Sequence, residues 1–167
     1  MFLLSICQWL DSTRLNAFMG QSKWAFPLLD TIHTLGIVLV AGTIMLVDLR
    51  LLSLGLRSVP VAAVVHRIVP WTLAGFGLMF VTGGLLFCSE AVKMYRSPAF
   101  RIKLVLLILA GLNALIFHRT VYRDVAKWGP SSVPARARLA GLASLLFWMA
   151  IIAAGRAIAY GPGYDVE

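Results

Sequence analysis

The sequence predicts an all-α integral membrane protein, built as a four-helix bundle and preceded by an amphipathic helix at the membrane interface. Hydrophobic residues make up 60% of the 167 residues and charged residues only 13%, and the mean hydropathy is +0.86. A soluble domain of this length needs a polar surface, whereas a bilayer removes that need for most side chains. Four apolar runs are also long enough to cross the hydrocarbon core. The length allows one domain.

The basic residues indicate contact with lipid rather than with nucleic acid. The formal net charge is +8, but the Lys and Arg residues cluster between the apolar runs, where they would meet headgroups. Cys7 and Cys88 form no CxxC pair, so they indicate neither a disulfide nor zinc. The sequence contains no phosphate loop, metal-protease helix or nucleophile–base pair, so we do not expect the chain to be an enzyme by itself.

Residues 1–26 are predicted to form the interfacial segment. The stretch 2–19 is too polar to span a membrane, and its apolar residues recur at roughly helical spacing, which is typical of a broken amphipathic helix. Gly20 is expected to end this helix, and Trp24 suits the headgroup level. The first basic residue is Arg14, so the positive leader of a cleavable signal peptide is missing and no such peptide is expected.

The four spans are predicted at about 27–52, 61–87, 100–121 and 139–160, followed by a short tail at 161–167. Pro70 lies inside the second span and is expected to kink it. The second connection is predicted to be a basic loop, and WGPSSVP marks a break before the fourth span.

The charges of the connections predict the orientation. The first and third connections carry eight Lys and Arg residues, whereas the N-terminal segment and the second connection together carry six. The positive-inside rule then places both termini in the periplasm of a bacterial inner membrane.

Two histidines predict a haem site between the second and third spans. His66 begins the second span and His118 ends the third, so two antiparallel spans bring both imidazoles to the same depth. Haem held between helices needs two such axial ligands, with small residues that admit the flat macrocycle. The other predicted members are small residues a few turns away and arginines that could meet the propionates: Gly77, Gly111, Arg67 and Arg119. Alternatively, the His–Arg pairs make ordinary headgroup contacts and the glycines serve helix packing.

A second polar site is predicted at the opposite end of the bundle. Its members come from the first, third and fourth spans: Asp30, His33, Lys103 and Arg156. Ionisable groups inside a membrane are costly and usually face a partner or a cavity. The cluster would bind a quinone headgroup, a second haem or a proton, or it is a salt bridge that locks the first helix to the fourth. Thr82 and Asn113 are predicted to be interhelical hydrogen bonders rather than site residues.

Three stretches carry a resemblance to a known family: a histidine followed by DLRLL in the first span, HRIVPW in the second, and KLVLLILAGLNALIFH in the third. They resemble a family of small four-helix bacterial membrane proteins without an established function, which look distantly like the copper-resistance D type and the membrane cytochrome b type. The resemblance covers roughly residues 24–160. It implies a compact bundle that can bear haem near larger redox complexes, and it implies no catalytic residue. The chain has three histidines, fewer than the four of a two-haem cytochrome b.

These features together predict a b-type cytochrome-like electron-transfer subunit that contains haem b, with quinone as a further candidate cofactor. It would couple a quinone or a membrane partner to a larger redox complex. A rival hypothesis is a cofactor-free accessory subunit of a larger membrane complex or a homo-oligomer, which the small size and the Gly-rich and Ala-rich faces favour. A metal transport component would need a polar path through the centre, yet the middle of each span is nearly featureless.

Overall fold

The computed structural model describes residues 2–128 and 133–159, and within these ranges the chain is helical and contains no strand. The α-helices, in chain order, are α1 (Phe2–Asp11), α2 (Arg14–Gln21), α3 (Ala25–Leu51), α4 (Val61–Ser89), α5 (Ala91–Arg96), α6 (Pro98–Ile116) and α7 (Ala135–Ala159). The predicted all-α fold class is confirmed. The predicted tail and part of the WGPSSVP break lie outside the described residues.

Four of the helices are long and apolar enough to cross a membrane, which indicates a multi-pass membrane protein. They are α3, α4, α7 and the continuous helical stretch Pro98–Val125. That stretch is longer than α6 because α6 continues into a π-helical turn at Phe117–Val121 and then a 3₁₀ turn at Tyr122–Lys127. The third apolar segment therefore extends beyond its predicted end at residue 121.

The long helices form an open arc in the order α4, α3, α7, α6. Helix α3 packs against α4 and α7, and α6 packs against α7. Among the described residues, the backbones of α4 and α6 come close at few points. The rings of Phe87 and Phe100 stack near the connection through α5, with centroids 5.6 Å apart, and α4 meets the 3₁₀ turn that follows α6 at the other end. The arc therefore leaves a gap between the second and third spans.

Glycines bring α3 close to both of its neighbours. A Cβ atom added at Gly75 of α4 would lie only 2.7 Å from Cγ2 of Val40, which is fully buried on α3. A Cβ atom added at Gly141 of α7 would lie 3.2 Å from Cβ of Leu51. Small residues at such crossings let the backbones approach, which is the main source of packing energy between helices in lipid.

The N-terminal segment forms two helices that are tied to the junction between α4 and α5. Helix α1 packs against α4 and α5, and α2 packs against α3 and α4. The carboxylate of Asp11 accepts a hydrogen bond from the backbone N–H of Ala91 (3.0 Å), and Asn16 Nδ2 donates to the carbonyl oxygen of Ser89 (2.9 Å). Asp11 thus caps α5, a helix in the connection that was predicted to be a loop.

Two helix starts differ from the prediction for identifiable reasons. Helix α6 begins at Pro98 because Ser97 caps it, accepting a hydrogen bond from Phe100 N (3.4 Å), and proline suits the first helical position. Helix α7 begins at Ala135, so the turn that contains Arg136 and Arg138, which was predicted to belong to the connection, is helical. Helix α4 runs through Pro70 without interruption, although proline lacks the N–H that would bond the His66 carbonyl.

Candidate functional site

A cavity of about 320 Å³ lies inside the arc, and we call it the central cavity. It occupies the half of the bundle nearer the α3–α4 and α6–α7 connections, and all four long helices line it. Most of its wall is apolar and the few polar lining residues come from all four helices: Asp48, Thr72, Asn113, His118 and Ser144. Largely apolar pockets of this size with a few convergent polar groups are typical of ligand sites.

Two of these polar residues hold the helices together. Asn113 Nδ2 of α6 donates a hydrogen bond to the Ala140 carbonyl oxygen of α7 (3.0 Å). The Thr72 hydroxyl of α4 lies 3.0 Å from the Thr43 hydroxyl of α3 and 3.2 Å from the Ile68 carbonyl oxygen. The prediction that Asn113 is an interhelical hydrogen bonder is confirmed.

Asp48 is the most deeply buried of the polar residues that line the cavity. Its side chain is only 4% exposed, and its Oδ2 atom has no hydrogen-bond partner within the described part of the chain. Ser144 of α7 lies within hydrogen-bonding reach of the same carboxyl group. A buried acceptor left without a partner costs roughly 1–3 kcal/mol. An ionisable residue in such a membrane position is by default a functional-site hypothesis.

His118 lines the cavity from the π-helical turn that ends α6. Its ring makes edge contacts with Phe117 and Tyr122, at centroid distances of 5.4 and 5.1 Å. No described residue forms a hydrogen bond with its ring nitrogens. A π-helical turn changes the direction of the side chains that follow it, and such turns recur at functional sites.

His66, the predicted partner of His118, does not line the central cavity. It is exposed and lines a separate pocket, the outer pocket, together with Arg67 and Tyr122. Tyr122 contacts the ring of His118 as well. The two imidazoles therefore lie at the same end of the bundle and line different cavities, and their joint ligation of a haem stays a prediction.

The remaining residues predicted to hold the cofactor do not all lie at the central cavity. Gly111 lines the central cavity, and a Cβ atom added there would meet nothing within 4 Å. Gly77 is exposed and lines neither pocket, and Arg119 is exposed as well. Only His118 and Gly111 of the predicted set share the central cavity.

The second predicted polar site is centred on a buried histidine. His33 is 9% exposed, and its Nδ1 atom lies 2.8 Å from the Thr82 hydroxyl of α4. Lys103 and Asp30 both lie close enough to His33 to interact with it electrostatically. Lys103 also lies beside α7, where a Cβ atom added at Gly155 would be 3.5 Å from its Nζ. The prediction that Thr82 forms an interhelical hydrogen bond is confirmed.

The other members of that cluster are more peripheral. Asp30 and Arg156 are exposed, whereas Lys103 is half-buried. Residues 2–128 and 133–159 contain no group of three or more His, Cys, Asp or Glu side chains that could hold a metal ion. The contacts of His33 are those of a packed histidine with one hydrogen-bonded nitrogen.

Asp48 is the site residue that sequence reasoning missed. The sequence places it one turn before the predicted end of the first span, where an acidic residue is ordinary at a helix end. What identifies Asp48 as a site residue is the direction of its side chain. That direction depends on how α3 is rotated against α7, which the sequence does not show. Its burial shows that it faces the interior of the bundle rather than the headgroups.

Comparisons with known proteins identify a family. The model of a family described as a family of unknown function (DUF6644) matches residues 13–161. Comparison with curated proteins and with solved structures finds no match.

Proposed function

This chain belongs to the family of unknown function DUF6644, and from the geometry of its bundle we propose that it is a membrane-embedded electron-transfer subunit. Its redox cofactor would occupy the central cavity. The observation that carries the proposal is the position of this cavity in the gap between the second and third spans, with His118 in its wall.

A redox cofactor needs an apolar enclosure and a few polar groups that orient it. The central cavity offers both, because its wall is largely apolar while Asp48 of α3 and His118 of the π-helical turn both line it. The protein would contribute binding, orientation and exclusion of water, and the cofactor would carry the electron.

A b-type haem finds one of its two predicted ligands in this cavity. His118 would be an axial ligand, and Gly111 and Ala114 leave room beside it. His66 would become the second ligand only after the first turns of α4 rotate toward the cavity, since it now lines the outer pocket. Haem, when bound, supplies one-electron transfer. The likeness to copper-resistance D and membrane cytochrome b proteins remains part of this proposal.

The setting of the subunit is proposed on two grounds. The bias of basic residues toward the first and third connections supports an inner-membrane protein with periplasmic termini. The small size of the chain supports a role beside a larger redox complex, to which it would pass electrons from a quinone or another membrane partner.

The test is to identify the cofactor of the detergent-purified protein. Oxidised and dithionite-reduced visible spectra, pyridine haemochrome quantitation and organic extraction of quinones should recover about one cofactor per chain. His118→Ala should remove it, because His118 lines the cavity. His66→Ala then reports whether His66 acts as a ligand. A flat spectrum together with an extract free of quinone, after expression with adequate haem, would refute the proposal.

A cofactor-free accessory subunit is the second candidate, and one observation favours it. Gly77 and Gly84 are both exposed on α4, two turns apart on one face, and a Cβ atom added at either would meet nothing within 4 Å. Such a face suits close contact with another membrane helix. Fixed-ratio co-purification of a partner, lost in Gly84→Leu, would support this candidate.

A further inference from the structure

We propose that the central cavity is a binding site for a quinone, whose ring lies between Asp48 and His118 and whose apolar tail leaves between α4 and α6. The inference rests on the proposed function, because the quinone would be the redox cofactor of that site. It names the ligand class and the residues that anchor it.

The gap between α4 and α6 supplies the exit for an apolar tail. Leu73 of α4 lines the cavity although 63% of it is exposed, and Gly111 and Ala114 of α6 are likewise lining residues that remain exposed. These positions lie well within the membrane-spanning stretches. The cavity therefore opens sideways into the hydrocarbon region, where a ligand with a lipid-like tail resides.

The size and the wall of the cavity suit one substituted six-membered ring. A volume of about 320 Å³ lies at the lower end of the range for ligand pockets, whereas a tetrapyrrole macrocycle is several times larger than a single ring. Phe76 and Trp148 form part of the wall, with their ring centroids 5.9 Å apart and their planes tilted by 54°. Aromatic walls of this kind favour a flat ring.

The free polar groups of the cavity match both oxidation states of a quinone. Thr72 and Asn113 already have protein partners, and Ser144 lies within hydrogen-bonding reach of the Asp48 carboxyl group. Asp48 Oδ2 and the His118 ring are left to meet the ligand. A quinone carbonyl accepts a hydrogen bond from a protonated carboxyl group or an imidazole N–H. A quinol hydroxyl donates one to a carboxylate or to the unprotonated imidazole nitrogen. Two groups that can each donate or accept serve both forms.

Binding can be measured on the full chain in lipid nanodiscs, titrated with a short-chain quinone that carries a decyl tail. Quinones quench tryptophan fluorescence, and the cavity wall contains Trp148, one of the five tryptophans of the chain. We expect saturable quenching that is largely lost in Trp148→Phe. Decylbenzene, which has the tail and the ring without the carbonyls, should not compete.

The anchoring residues are tested by Asp48→Leu and His118→Leu. Each should weaken quinone binding roughly tenfold or more, because a polar ligand group would be left without its partner. Glu90→Gln is the matched control, since it removes a carboxylate that pairs with Lys93 at the other end of α4, and it should change the affinity less than about twofold. Asp48→Leu should also raise the melting temperature of the ligand-free protein, which shows that the variant folds and that the carboxyl group serves binding.

Four results overturn the inference. Quenching that never saturates shows partition into lipid only. Saturable binding that is unchanged in Asp48→Leu shows that the carboxyl group contacts water rather than a ligand. Haem that is lost in His118→Ala, without quinone binding, refutes the quinone and leaves the electron-transfer function standing, whereas absence of both cofactors refutes both proposals.

Discussion

The two ends of the bundle differ in how their polar side chains are packed and hydrogen-bonded. At one end, which we call the His33 end, the imidazole is hydrogen-bonded to Thr82 at 2.8 Å and packed against Gly83, where an added Cβ atom would lie 3.1 Å from Cε1. At the other, which we call the Asp48 end, the carboxyl group and the ring of His118 face the central cavity. One end is filled and the other is hollow.

This contrast distinguishes polar residues that stabilise the bundle from those that are available to bind a ligand. A buried polar group with its partner in place contributes to stability, whereas one without a partner destabilises the protein until something fills the site. We therefore expect substitution of His33 and of the residues packed against it to lower stability, and substitution of the groups without a protein partner at the Asp48 end to affect binding instead.

The largest expected effect comes from a matched pair of glycines. Gly83→Leu should destabilise the protein by about 2–3 kcal/mol, because the new side chain must displace His33. Gly111→Leu points into the cavity, so stability should stay within about 0.5 kcal/mol while ligand binding is lost. The free energy of unfolding in SDS titrations measures both. Equal destabilisation by the two variants would contradict the contrast.

The two histidines should differ almost as much. His33→Ala should cost about 2 kcal/mol, since it leaves a cavity between α3 and α4 and removes the bond to Thr82. His118→Ala should cost less than about 1 kcal/mol, because His118 is exposed and its ring makes only edge contacts. Thermal unfolding followed by circular dichroism compares them, and a greater loss in His118→Ala would reverse the assignment.

A smaller loss of stability is expected at Asn113, whose side chain joins α6 to α7 at the Asp48 end. Asn113→Leu keeps the volume but removes the 3.0 Å hydrogen bond to Ala140, so it should cost about 1 kcal/mol. Thr120→Val is the control, since that hydroxyl bonds only within its own helix, to the Ile116 carbonyl oxygen. If Asn113→Leu matches the control in SDS titrations, the bond contributes nothing to the α6–α7 contact.

The smallest expected effect is a gain in stability from a substitution in the α3–α4 connection. Ser53 has a φ of 60°, a left-handed conformation that glycine adopts without strain, and its hydroxyl is buried without a partner among the described residues. Ser53→Gly should therefore stabilise the protein by about 0.5–1 kcal/mol. Ser58→Gly, in the same connection without a positive φ, should not. A lower melting temperature of Ser53→Gly would show that the serine hydroxyl is needed.

Hydropathy was sufficient to predict the four apolar helices, because the bilayer dictates their length and composition. It could not predict α5, whose six residues are held by a cap from Asp11, a contact between segments far apart in the sequence. The sequence predicted a basic loop there, because Lys93, Arg96 and Pro98 lie between two apolar runs.

The sequence predicted the depth of the candidate site in the membrane, but it did not predict how each helix is rotated about its own axis. Antiparallel spans put His66 and His118 at the same end, and both are found there. Which way each side chain points depends on the rotation of a helix about its own axis, which here is set by glycine contacts and by the π-helical turn at His118. Helices that are apolar all round carry little pattern from which that rotation could be read.

The open arc has a consequence for biosynthesis. The α3–α4 and α6–α7 pairs each join neighbours in sequence. Contacts made by α7 help to unite the two pairs, among them that of Gly141 with α3 and that of Trp148 with Phe76 of α4. Since chains are made from the N-terminus, these contacts form only after α7 has left the ribosome and entered the membrane. The complete pocket is therefore absent until α7 has been inserted, and a cofactor that needs all four walls must be loaded after that step.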